Sequence, residues 1–115
     1  MLVLFDIDMT LISTLGAGRE AMSEAGRAVF GAPFRHDGVD FAGRLDPLIL
    51  RDLIAASGHE PTPEACAAAR AAYAEVLPRY LADRASALPG ARALVDRLVS
   101  EPDVTLGLLT GNFEE

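Results

Sequence analysis

The sequence predicts an α/β chain in which a parallel-sheet core is interrupted by a long helical insert. Three observations predict it. An apolar run, Leu2 to Phe5, leads directly into Asp6 and Asp8; a second apolar run, Val104 to Leu109, closes on Thr110; and between them apolar residues recur at helical spacing in stretches bounded by Gly and Pro. The first run is too short for an ordinary helix and is flanked by nothing that breaks a sheet. Such runs suit strands covered on both faces, the pattern of parallel sheets packed under helices.

The elements follow in order. After the first strand, Ser13 to Gly18 is small and polar enough to be a linker, and a helix is predicted from Arg19 to Phe30, with Ala21, Met22, Ala25, Ala28 and Val29 in register and Gly31 as its stop. Ala32 to Gly43 has turn residues and no sustained period, so it is predicted as an irregular loop with His36 solvated in it. Asp46-Pro47 predicts the next helix, Asp46 serving as N-cap and Pro47 as first helical residue, with Gly58 closing it. His59 then falls in a connecting loop. Thr62-Pro63 repeats the device, and an apolar stripe continues from Ala65 to Leu81, with Pro78 expected to kink or divide the helix. The alanine-rich run Ala65 to Ala74 is expected to be a close-packing helix face. Beyond Leu88-Pro89-Gly90, the residues Ala91, Leu94, Val95, Leu98 and Val99 form one helix face, Pro102 ends it, and Val104 to Leu109 is the second strand. Strand, helices and parallel strand make one crossover unit interrupted after its first strand.

Composition narrows the classes. The 115 residues are 50% hydrophobic, enough for a globular domain with its own core. A net charge of −7 opposes nucleic acid or an anionic membrane as partner. All ten cationic side chains are arginine; lysine is absent. The single cysteine, Cys66, excludes an internal disulfide, suits a reducing cytoplasm and is expected to be a small buried hydrophobe. The first apolar run meets Asp6 too early for a signal peptide or membrane span, so a cytoplasmic location is expected.

Chemistry is expected where the strands end, because ligands of such sheets bind beyond the carboxyl ends of the strands. Asp6 and Asp8, two apart in extended chain, would point to the same side, and two close carboxylates call for a cation. Mg2+, which takes oxygen ligands and often only one or two carboxylates plus substrate phosphate, is the natural one. Taken alone, the aspartates could cap a turn, and Thr110-Gly111-Asn112 could be an ordinary turn after a strand.

Phe5-Asp6-Ile7-Asp8-Met9-Thr10-Leu11 resembles the first motif, Asp-x-Asp-x-Thr, of the haloacid-dehalogenase-like (HAD) hydrolase superfamily, and Leu106-Gly107-Leu108-Leu109-Thr110-Gly111-Asn112 resembles its second. The resemblance implies a Rossmann-like parallel-sheet core, residues 1–14 and 86–115 and incomplete in this chain, with an inserted all-helical cap over 15–85. It implies a Mg2+-dependent phosphomonoester hydrolase working through an aspartyl-phosphate. Asp6 would be the nucleophile and Asp8 the general acid and base. The Asp8 carbonyl and an Asp6 oxygen would hold Mg2+, and the Thr110 hydroxyl, with Gly111 and Asn112 beside it, would bind the phosphoryl oxygens. Dehalogenase members lack the second acid and ion-pumping members carry lysine there, so Asp8 favours phosphoester chemistry.

Gly43-Arg44-Leu45-Asp46 resembles a cap segment of phosphoglycolate-phosphatase-like members, in which Arg44 could meet the anionic end of a small phosphorylated metabolite, or simply be solvated. Two positions depart from the pattern: Leu45, where Thr is usual, and Met9, where Gly is common. The superfamily's third-motif cation and fourth-motif acids do not follow Asn112. Without them, and with only two strands, Glu115 is not expected to be the natural end of a working enzyme. The 115-residue chain alone is expected to be inactive and to self-associate through exposed strand edges. Two other functions remain open: an inert fragment or helical interaction module, and a sugar phosphomutase of the same superfamily.

Overall fold

Four helices and a small parallel sheet make the fold mixed α/β, as a computed structural model of the chain shows for residues 1–114. Two compact units divide the chain. One comprises Met1–Leu15 and Arg84–Thr110; the other comprises Gly16–Asp83 and the segment from Gly111 onward.

The first unit contains the strands. β1 (Leu2–Phe5) pairs in parallel with the last strand, Thr105–Leu108, in the register Leu2 to Thr105 and Phe5 to Leu108. The pleat therefore puts Leu2, Leu4, Thr105 and Gly107 on one face and Val3, Phe5, Leu106 and Leu108 on the other. A second, two-residue pairing was not predicted: β2 (Ile12–Ser13) lies antiparallel to β3 (Ser86–Ala87). The start of the expected linker is thus a short strand. Its partner is more than seventy residues away, a pairing that local composition cannot reveal. The helix of this unit spans Ala91–Val99, begins after Gly90 at φ 80, and precedes the final strand, which we number β4. No described residue of this unit is buried.

The second unit contains the other three helices and every buried hydrophobic side chain among the described residues. α1 (Ala17–Phe30) starts two residues before the expected Arg19. Ala17 is fully buried, and a Cβ on Gly18 would lie 3.3 Å from the Tyr73 hydroxyl, so a pair that reads as linker by composition is helix by tertiary contact. α2 (Asp46–Ala56) has Leu45 at its N-cap position with no side-chain cap bond, and Asp46 is its first helical residue rather than its cap. α3 (Pro63–Arg84) opens as expected, the Thr62 Oγ1 accepting the Ala65 N–H at 3.1 Å. It then continues as one helix through Pro78, where a kink or a division was expected, and it is not divided. Val76 and Leu77 before the proline and Tyr80 after it all pack on the core, and that packing outweighs the one hydrogen bond proline removes. Helix Ala91–Val99 is accordingly α4.

The core of this unit joins Met22 and Ala25 of α1, Leu50, Leu53 and Ile54 of α2, and Ala69 and Tyr73 of α3. Phe34 completes it from the irregular loop. Its ring lies where a Cβ of Gly26 would be, within 2.0 Å, and stacks 5.6 Å from Phe30. Gly26 is therefore the notch in α1 that admits Phe34. Cys66 is half-buried against this core, its thiol 3.8 Å from the Pro61 carbonyl oxygen. A polar clasp joins α1 to α3: the Tyr80 hydroxyl donates to Glu24 at 2.7 Å, and Arg79 donates to the same carboxylate. These bonds, Tyr80's first, hold the Glu24 carboxyl below the usual glutamate range, and the bond to Glu24 pushes the Tyr80 phenol up. No helix among the described residues is long and apolar enough to cross a membrane.

Candidate active site

Asp6 and Thr110 follow the two strands that pair in parallel. The Leu109 N–H donates to the Phe5 carbonyl at 2.8 Å, and Asp6 and Thr110 are the next residues along the two chains. A parallel ladder with crossover connectivity brings them to the same edge of the sheet, although 104 positions separate them in sequence numbering (110 − 6). Asp6 is exposed and Thr110 half-buried.

Asp8 reaches its place differently from the prediction. The extended alternation that would put it on the same side as Asp6 ends at Phe5. Beyond it the chain closes into a tight loop in which the Ile7 carbonyl accepts N–H groups of Thr10, Leu11 and Ile12, and Met9 N–H donates to the Ile12 carbonyl at 2.8 Å. Asp8, exposed, pairs with Ile12 as an isolated parallel bridge. This closure requires Met9 to adopt φ 58, the left-handed region that β-carbon sterics disfavour. Such a loop suits the glycine that the resembled motif commonly has there.

The remaining candidates lie in the helical unit. Arg44 is engaged within it: its guanidinium meets the Asp52 carboxylate at 2.6 Å and donates to the Asp40 carbonyl at 3.1 Å. Asp40 in turn makes an Asx-type turn by accepting the Ala42 N–H at 3.1 Å, which the sequence could have signalled. Gly111 and Asn112 are half-buried there, and the Gly111 carbonyl accepts the Asp46 N–H at 2.8 Å. A Cβ on Gly111 would lie 2.9 Å from the Arg44 carbonyl oxygen, so glycine is required for this backbone approach.

His36 is not simply solvated. It is half-buried, and its Nδ1 lies 2.6 Å from the Oγ of Ser23, a buried residue whose hydroxyl donates to the Arg19 carbonyl at 3.1 Å. The Ser23 hydroxyl thus lies within hydrogen-bond reach of both the Arg19 carbonyl and the His36 ring. The pair therefore latches the loop to α1, a role for which a single histidine in a polar loop offers no sequence signal. His59 is exposed, its ring 5.0 Å from Phe30.

Among the described residues, no group of three or more His, Cys, Asp or Glu side chains is placed to hold a metal ion. Asp6 and Asp8 nevertheless supply a purely oxygen donor set, which suits a hard cation such as Mg2+ and not a soft one. Searched against known proteins, the chain matches no family model, and no curated protein matches it. The functional reading therefore stands on the two motifs and on the geometry of the residues that compose them.

Proposed function

We propose that this chain carries the nucleophile of a Mg2+-dependent phosphomonoester hydrolase resembling HAD phosphatases, with a Rossmann-like core and a helical cap, acting on a small phosphorylated metabolite in the cytoplasm. The observation that carries the proposal is the convergence of Asp6 and Thr110 at the carboxyl ends of two hydrogen-bonded parallel strands. In such a site the Asp6 carboxylate attacks phosphorus, the phosphorus–oxygen bond to the leaving alcohol breaks, and the alcohol takes a proton from Asp8. Asp8 then takes a proton from the water that cleaves the aspartyl-phosphate and releases Asp6. Thr110 donates its hydroxyl to a phosphoryl oxygen. Mg2+, held by Asp6 and Asp8, would offset the negative charge of the carboxylates and phosphate. Specificity through Arg44 rests on the Gly43-Arg44-Leu45-Asp46 resemblance alone.

The test is hydrolysis of an aryl phosphate by the full-length protein. Asp6→Asn should abolish Mg2+-dependent turnover with the fold intact, because an amide does not attack phosphorus. Asp8→Asn should slow it by roughly 10^2- to 10^4-fold through lost proton transfer. Wild-type turnover in the Asp6 variant sinks the assignment.

One observation favours a second reading, a helical interaction module without catalysis: every buried hydrophobic side chain among the described residues lies in the helical unit. A full-length protein inert toward a panel of phosphorylated metabolites, yet stably folded, would select it.

A further inference from the structure

We propose that the outer face of α4 is a homodimer surface, on which a second copy of this chain lays its own α4 antiparallel, so that Arg92 of each copy meets Asp96 of the other. The proposal is independent of the phosphatase reading and concerns the strand unit alone. Three observations carry it.

The first is an open apolar groove along α4. Leu11, Ile12 and, from α4, Ala91 and Val95 line it, all half-buried, with Arg92 and Asp96 exposed beside them. Its volume of about 230 Å³ is below the ~300–1,000 Å³ of small-molecule sites, so it suits the side chains of a docking element better than a ligand. Val99, four positions after Val95 and so on the same face, extends the apolar strip by a further turn and is 69% exposed.

The second is the placement of the two charges. Arg92 and Asp96 are four positions apart on this face, and neither side chain makes a hydrogen bond or ion pair among the described residues. Their order is the less favourable one for a single helix. Arg92 lies in the first turn, where the dipole favours an acid, and Asp96 lies toward the end, where it favours a base. A second α4 running antiparallel compensates both, because its C-terminal half lies beside the N-terminal half of the first. A two-fold axis midway between the two positions sets each arginine against the facing aspartate, twice per dimer.

The third is that this groove carries one charge of each sign on a chain of net charge −7. A generally basic partner has stronger attraction elsewhere on the surface. What complements the groove is an apolar helix face with one acid and one base in the opposite order, and an antiparallel copy of α4 is such a face.

The experiment measures the mass of the chain by sedimentation equilibrium at concentrations rising to about 1 mM, the weak end of specific association. The parent should pass from monomer to dimer. Arg92→Asp and Asp96→Arg each set like charges against one another twice per dimer, and each should raise the dissociation constant at least about tenfold. Both substitutions suit the α4 dipole, so neither loses the dimer by unfolding the helix. An equimolar mixture of the two single variants should dimerise at least as well as the parent, since two arginines then face two aspartates. The double variant Arg92→Asp/Asp96→Arg should return to within about threefold of the parent. A parent that stays monomeric leaves the groove to another occupant and overturns the proposal. So does a single variant that associates like the parent, which would assign association to the strand edges, and so does a mixture no better than its components.

Discussion

The helical unit and the strand unit differ in where their apolar side chains are. In the helical unit Leu53 and Ile54 are fully buried and Phe34 is 1% exposed, whereas in the strand unit Leu2 is 63% and Leu108 61% exposed. Leu53 and Leu2 both come from apolar stretches of sequence. The contrast follows from how each element buries a face. Three helices cover one another around a common centre, but a two-stranded parallel sheet has two faces, and α4, itself without a buried residue, does not seal them. The helical unit therefore holds the buried core, and the strand unit holds Asp6, Asp8 and Thr110 on a framework with none.

The sharpest way to break this comparison is to truncate one leucine in each unit. Leu53→Ala should destabilise by about 2–5 kcal/mol, through lost burial plus the cavity left behind. Leu108→Ala should cost well under that, because most of its surface is already in water. Chemical denaturation of both variants checks this, and equal losses would show that the strand unit has a core after all.

Next in size is a pair of glycines. Gly26→Ala improves helix propensity but drives a methyl into the Phe34 ring, and should destabilise by about 1–3 kcal/mol. Gly107→Ala meets only the Cδ2 of Leu4 at 2.9 Å, the mobile end of an exposed side chain, and should be nearly neutral. Thermal melts of the two variants read the difference directly. A costly Gly107→Ala would mean that Leu4 is held in place.

Met9→Gly should stabilise, since a left-handed residue with a β-carbon costs about 1–2 kcal/mol and glycine returns part of that gain as unfolded-state entropy. A net gain of roughly 0.5–1 kcal/mol in urea melts is expected. A loss would assign Met9 a contact worth more than its strain.

The smallest effect is the pH dependence of the helical unit. Glu24 has a lowered folded pKa, so its stabilisation is present above the ordinary glutamate range and is lost as pH falls through the folded value. Tyr80 has a raised folded pKa, so its contribution is present below the ordinary value of 10.0 and is lost as pH rises through the folded one. Tyr80→Phe should reduce both dependences. Melts of parent and variant at acid, neutral and alkaline pH that run parallel would remove the clasp from the account.

The sequence by itself determined the elements whose cause is local. Leu2 to Phe5 and the second apolar run are strands because short apolar runs suit a sheet, and the helices are bounded by Gly31, Pro47, Thr62 and Gly90 because caps and stops act within a turn. The positions of Asp6 and Thr110 just past the strands were legible for the same reason, whereas that of Asp8 was not, because the chain leaves the extended path after Phe5. Only the tertiary structure decided the rest. It brought Ile12–Ser13 to Ser86–Ala87, seated Phe34 in the notch at Gly26, carried α3 through Pro78, and tied His36 to Ser23. It also brought the Phe113 N–H to the Asp46 carboxylate. Each of these depends on residues far apart in sequence competing with a local preference, and the contact formed on folding outweighs a cap, a linker composition or a helix breaker that is worth only about 1–3 kcal/mol.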